Sequence, residues 1–169
     1  MTTTSDPPEE LVFADWYQRE FPRVARALAL ASGDPLLGEE AAAEAFARAL
    51  ATWPKVRAME SPGGWVYSVA LSELRRTWRR RRLERRSLDR LHLEHVPAPT
   101  APDDALWQAV AQLAPRARTA IALRYVADLT EADIADVMNI ARGTVAATLF
   151  AARKQLATAL TPHLTGDRS

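Results

Sequence analysis

The segment from Asp128 to Leu156 is compatible with few folds, because its apolar residues recur at helical spacing in two short runs separated by a single break. Thr130 stands three residues ahead of Asp133, a spacing at which a hydroxyl and a carboxylate each satisfy a backbone N–H at a helix start. Ile134, Val137 and Met138 then supply an apolar face. Asn139 tolerates the left-handed conformation that ends a helix, and Ile140 packs under the turn. Gly143-Thr144-Val145 opens a second helix that turns Leu149, Ala152, Leu156 and Leu160 inward. The pattern is a helix-turn-helix. Ala132 and Ala135 are small where the two helices have to cross closely.

The rest of the chain repeats the helical theme. Phe13, Tyr17, Phe21, Val24 and Leu28 recur at spacings of four, four, three and four, which predicts one amphipathic helix. Gly33-Asp34-Pro35 breaks it. A second helix is expected from about Leu36 to Ala51, with Ala42, Ala45, Phe46, Ala49 and Leu50 inward and its glutamates outward, ended by Trp53-Pro54. A loop through Ser61-Pro62-Gly63-Gly64 leads into a third helix, on which Tyr67, Leu71, Leu74 and Trp78 share a core side. Strand-type alternation is missing, and the glycines read as segment ends, so the expected fold is all-α. At 169 residues, with Pro97, Pro99 and Pro102 near the middle, the chain suits two small helical domains on a Pro-rich linker. Asp103-Asp104 is expected to cap the helix that carries Leu106, Trp107, Val110 and Leu113.

Net charge is +1, which by itself says nothing about a polyanionic partner, but its distribution does. Between Leu71 and Arg90, nine arginines face three acids, a local +6. Arg75, Arg79, Arg82 and Arg86 form a stripe about 16 Å long at the usual helical rise, able to follow several phosphates. The stretch before Trp53 is acidic, so two faces with different partners are expected.

Leu113-Ala114-Pro115-Arg116-Ala117-Arg118, then Ile134-Ala135-Asp136-Val137 and Gly143-Thr144-Val145, resemble region four of the extracytoplasmic-function sigma factors. Glu39-Glu40-Ala41-Ala42-Ala43-Glu44-Ala45-Phe46, Trp53, Gly64-Trp65-Val66-Tyr67 and the arginine-rich helix resemble region two of the same family. The resemblance implies a three-helix bundle over residues 10–86, after a disordered leader at 1–9, and a helix-turn-helix domain over 103–164, after a linker at 87–102.

It also implies partners. The polymerase core would be met at its beta-prime clamp by Glu39, Glu40 and Glu44, and its beta flap by the other half. The minus-ten promoter element would be held by Lys55, Arg57, Met59, Ser72, Arg75, Arg76, Arg79 and Arg80. The minus-thirty-five element would be read by Arg142, Gly143, Thr144, Ala146, Ala147 and Thr148, with Arg153 and Lys154 at phosphates or a base edge. An anti-sigma factor is a further partner of many relatives. The chain departs from the family at Ala43, where glutamine is common, and at Ala70-Leu71-Ser72, where Ala-Arg-Asn is common.

Other function classes find little support. With no cysteine, disulfides and cysteine-ligated zinc are excluded. His92, Glu94 and His95 lack a third ligand nearby, so no metal or cofactor is expected. There is no Gly-rich phosphate loop and no cysteine nucleophile, and an enzyme is not expected. No apolar run approaches the roughly 20 residues that span a bilayer, so a cytoplasmic protein is expected. Two alternatives stand beside the sigma factor: a conventional helix-turn-helix regulator, and a sigma-derived interaction module that has lost promoter reading.

Overall fold

The computed structural model describes residues 12–89 and 105–165. Among these residues the secondary structure is eight α-helices and no strand. The amino-terminal half holds α1 (Phe13–Ser32), α2 (Pro35–Ala51), α3 (Trp53–Val56) and α4 (Pro62–Asp89). The carboxy-terminal half holds α5 (Ala105–Ala111), α6 (Pro115–Tyr125), α7 (Glu131–Met138) and α8 (Arg142–Thr165). The leader, residues 90–102 of the linker, the capping Asp103-Asp104 and the His92–His95 group fall outside the described residues, whereas 87–89, expected as linker, continue α4.

Local chemistry sets the helix ends. Gly33 closes α1 at φ 73, with its N–H donating to Ala29 O. Asp34 caps α2: its Oδ1 accepts from Leu37 N at 3.1 Å, and Pro35 takes the first helical position, where a missing N–H costs nothing. The Trp53-Pro54 stretch, expected as loop, forms the single turn α3, because Pro54 is as well suited to open a helix as to end one.

α1 lies along α2 and buries Trp16, Val24, Ala27, Leu28 and Ala31 against Leu37, Ala41, Ala42, Ala45, Phe46 and Ala49. Two expectations fail here. Leu50 points to solvent, a quarter-turn off the buried stripe. Gly38 is no segment end: it is buried inside α2, where α1 crosses so closely that a Cβ would lie 2.3 Å from Ala29 N. Phe13, Trp16, Tyr17, Phe21, Phe46 and Trp53 form one aromatic network, with ring centroids such as Trp16–Trp53 at 4.8 Å. Tyr67, Leu71 and Leu74 of α4 are buried beside it. Tyr67 Oη has no hydrogen-bond partner among the described residues, and burial raises its pKa.

The helix-turn-helix forms as its pattern requires. Thr130 Oγ1 accepts from Asp133 N at 3.2 Å while Asp133 Oδ2 accepts from Thr130 N at 3.0 Å, a reciprocal cap that contributes about 1 kcal/mol. Asn139 ends α7 at φ 54. Val145, Leu149 and Ala152 are buried against α6 and α7. Ala135 is at the crossing, whereas Ala132 is exposed.

The halves also touch. α6 packs on α1 and α7 on α4, so the apolar cores are continuous. Arg118 reaches across from α6: its Nε donates to Ala31 O at 2.9 Å and its Nη2 to Ser32 O at 3.2 Å. These carbonyls belong to the last turn of α1, which has no basic residue of its own, so a cation meets the negative end of that helix. Partial burial lowers the Arg118 pKa. Arg75 of α4 donates to Met138 O at 3.5 Å in the opposite direction.

Candidate nucleic-acid interface

Helix α4 sorts its arginines onto two sides. Arg76 pairs with Glu73, Arg80 with Glu84, and Arg81 with Asp34 at 3.2 Å. Arg79 and Arg82 make no ion pair among the described residues, and Arg75 has only its contact with a carbonyl. The partition follows from helical spacing: 75, 79 and 82 recur at four and three, while 76 and 80 turn toward Glu73 and Glu84 on the next stripe. Of the minus-ten set, Arg75 and Arg79 therefore share a face, and Arg76 and Arg80 lie beside it, each near a carboxylate. Ser72 is exposed one turn before Arg75 and Arg76. The side chain of Arg86 is outside the described set.

Lys55 is exposed on α3, and Arg57 and Met59 follow in the exposed segment leading to α4. Trp53 and Trp65 are partly buried against the core. Trp78, expected among core residues, is only partly buried. It borders an open recess of about 320 Å³ whose other walls are Arg75, Arg79 and Arg82. Sequence reasoning missed this place because spacing assigns a side chain to a face and cannot tell a covered face from its rim.

On α2, Glu39, Glu40 and Glu44 are exposed on the side away from α1. Arg48 bonds Glu44 at 2.9 Å on its own helix and Glu73 on α4, and these carboxylates raise its pKa. Glu39 and Glu40 make no ion pair among the described residues.

In the helix-turn-helix, Arg142, Gly143, Thr144, Ala147 and Lys154 are exposed, and Ala146 and Thr148 are half-buried. Thr148 Oγ1 donates to Thr144 O at 2.7 Å. Arg153 is held in place, its Nε donating to Tyr125 Oη at 2.7 Å and its guanidinium 5.8 Å from the ring centre. Phe150, which sequence reasoning passed over, is 71% exposed on α8, opposite the buried Val145, Leu149 and Ala152. Its spacing of seven from Gly143 and four from Ala146 was the available signal.

Between the halves lies a groove of about 390 Å³ lined by Leu71, Arg75 and Trp78 on α4 and by Pro115, Met138 and Ile140 among others. No single helix of the described residues is long and apolar enough to cross a membrane.

A basic helix in one half and a helix-turn-helix in the other define a two-part DNA-binding transcription protein. The sigma-70 region 2 family matches residues 16–84, and sigma-70 region 4 matches residues 103–156. The chain belongs to the sigma-70 family, in its extracytoplasmic-function group, and is a sigma factor. Among solved structures it is similar to the sigma factor RpoE crystallised with the anti-sigma factor NepR from Bartonella quintana. That likeness has a TM-score of 0.73 at 20% identity over 92% of this chain and 98% of the other. A chain of the RsbN–BldN complex aligns at 21% identity over 89% of this chain and 92% of the other, with a TM-score of 0.35. No curated protein matches the chain in sequence.

Proposed function

We propose that this sigma factor brings polymerase to promoters through three separate surfaces. The exposed Glu39, Glu40 and Glu44 of α2 meet the basic coiled coil of the polymerase clamp. The loop with Lys55, Arg57 and Met59, together with the exposed side of α4, holds and opens the minus-ten element. α8 enters the major groove at the minus-thirty-five element, where Arg142 and Lys154 reach phosphates. Ala147 and Phe150 offer the apolar surface that suits thymine methyl groups. The groove between α4 and the α6–α7 pair, with apolar Leu71, Trp78, Met138 and Ile140, suits a helix of an anti-sigma partner, the kind of protein that accompanies RpoE in the solved complex.

The observation that carries this reading is the separation of charge. An acidic face on α2 and an uncompensated arginine face on α4 belong to one small body, and each suits a different polymer. Run-off transcription with purified core polymerase tests it. The expected result is a promoter-dependent transcript that is lost in Glu39→Lys/Glu40→Lys without loss of DNA binding. DNA binding without any transcript would favour a conventional regulator, and core binding without any transcript an interaction module.

A further inference from the structure

We propose that Arg48 is a built-in competitor of the polymerase: its guanidinium occupies Glu44 in the free chain, and Glu73 on α4 draws that cation aside so that α2 keeps an acidic face. The assignment rests on the docking of α2 proposed above and adds two residues that set its strength.

Glu40, Glu44 and Arg48 follow one another at spacings of four, so they stand in one row on α2, a helical turn apart. Arg48 is on the exposed side with the acids, its side chain 43% accessible. A basic partner approaching this row meets a like charge at its end. It also finds Glu44 already accepting from Arg48 Nε at 2.9 Å.

A second acid changes the balance. Glu73 takes Arg48 Nη2 on its Oε1, and its Oε2 lies 3.8 Å from Arg76 Nε. Its side chain is only 14% accessible, in a recess of about 200 Å³ that it shares with Glu40, Glu44 and Arg76. With an arginine of its own chain at each oxygen, Glu73 serves as an internal anchor for cations and not as a contact for a partner. The planar fork of Arg48 is what lets one side chain face acids on two helices, and a lysine has no such fork. Docking strength therefore depends on how Arg48 divides between Glu44 and Glu73. Removing the cation frees Glu44, whereas removing Glu73 leaves Arg48 wholly on Glu44. The two changes act in opposite directions, while a plain bridge between α2 and α4 would make both act the same way.

The experiment titrates fluorescently labelled full chain with purified core polymerase and no DNA, so that the promoter role given to Arg76 does not enter. Arg48→Gln should tighten binding about threefold and Glu73→Gln should weaken it about threefold, the scale of one partly exposed charge. Adding Glu73→Gln to Arg48→Gln should change little further, because the cation that Glu73 holds is gone. Arg48→Lys keeps the charge and should not tighten binding. At about 0.5 M salt, where the screening length is about 4 Å, the differences should shrink toward none. Weaker binding by both single variants, with lower unfolding midpoints, would mark a bridge between helices and overturn the assignment. A full further loss on adding Glu73→Gln to Arg48→Gln would make Glu73 a direct contact and overturn it too. Wild-type chain that binds core with an affinity indifferent to Arg48→Gln refutes this inference alone. A chain that does not bind core, or binds it equally after Glu39→Lys/Glu40→Lys, refutes the docking reading as well.

Discussion

Replacing Gly38 with alanine tests how tightly the amino-terminal half is built. On propensity alone the change favours helix α2 by up to about 1 kcal/mol. The structure predicts the opposite sign, because the added Cβ would lie 2.3 Å from Ala29 N, 2.6 Å from Ala29 Cα and 2.8 Å from Leu28 C. All three are main-chain atoms of α1, so no side chain can swing aside. Relief requires the helices to part by about 1 Å, and a gap of that size forfeits a quarter to a half of each contact's attraction across the interface. Overpacking of this kind costs about 1–3 kcal/mol, and the upper end applies here after the propensity gain is subtracted, leaving about 2 kcal/mol of net destabilisation. Urea unfolding followed by circular dichroism should show the midpoint falling by about 1 M at a typical slope. Gly63→Ala serves as the control, since its Cβ would meet nothing within 4 Å. That variant should be unchanged or slightly more stable. A Gly38→Ala midpoint equal to or above wild type would refute the close-crossing argument.

Tyr67→Phe should raise stability by about 1 kcal/mol, because it removes a buried hydroxyl with no partner among the described residues; a lower unfolding midpoint would show that the oxygen is satisfied in solution. Arg118→Gln should loosen the contact between the halves, read as a larger radius of gyration by small-angle scattering, and an unchanged radius would contradict the role given to the guanidinium. Arg142→Gln and Lys154→Gln should each reduce the salt slope of binding to an upstream-element duplex by about 0.9, one phosphate apiece, whereas equal slopes would place α8 off the DNA.

Much of the fold was legible in the sequence because it depends on neighbours along the chain. The Thr130–Asp133 cap, the Asn139 stop and the stripe of α1 involve residues no more than four apart, and each forms. What escaped depends on residues far apart. Gly38 reads as an indifferent small residue until α1 is laid across it. The stripe of Arg75, Arg79 and Arg82 is legible in the spacing, but that Asp34, 47 positions away, claims Arg81 is not. Trp78 reads as core because Leu71 and Leu74 are core, and only the packing shows where the cover ends. Proline was half read: α2 stops at Ala51 as Trp53-Pro54 requires, but Pro54 also serves the first turn of α3.

Arg118 takes hold of carbonyl oxygens, a feature that every amino acid carries. Substitutions at Ala31 and Ser32 can therefore accumulate without erasing what the guanidinium recognises, provided α1 still ends there. The opposite side has no such tolerance, since no other side chain presents a planar fork of donors at that reach. The clasp between the halves is thus lopsided in its exposure to mutation, with one partner free to drift and the other confined to a single residue type.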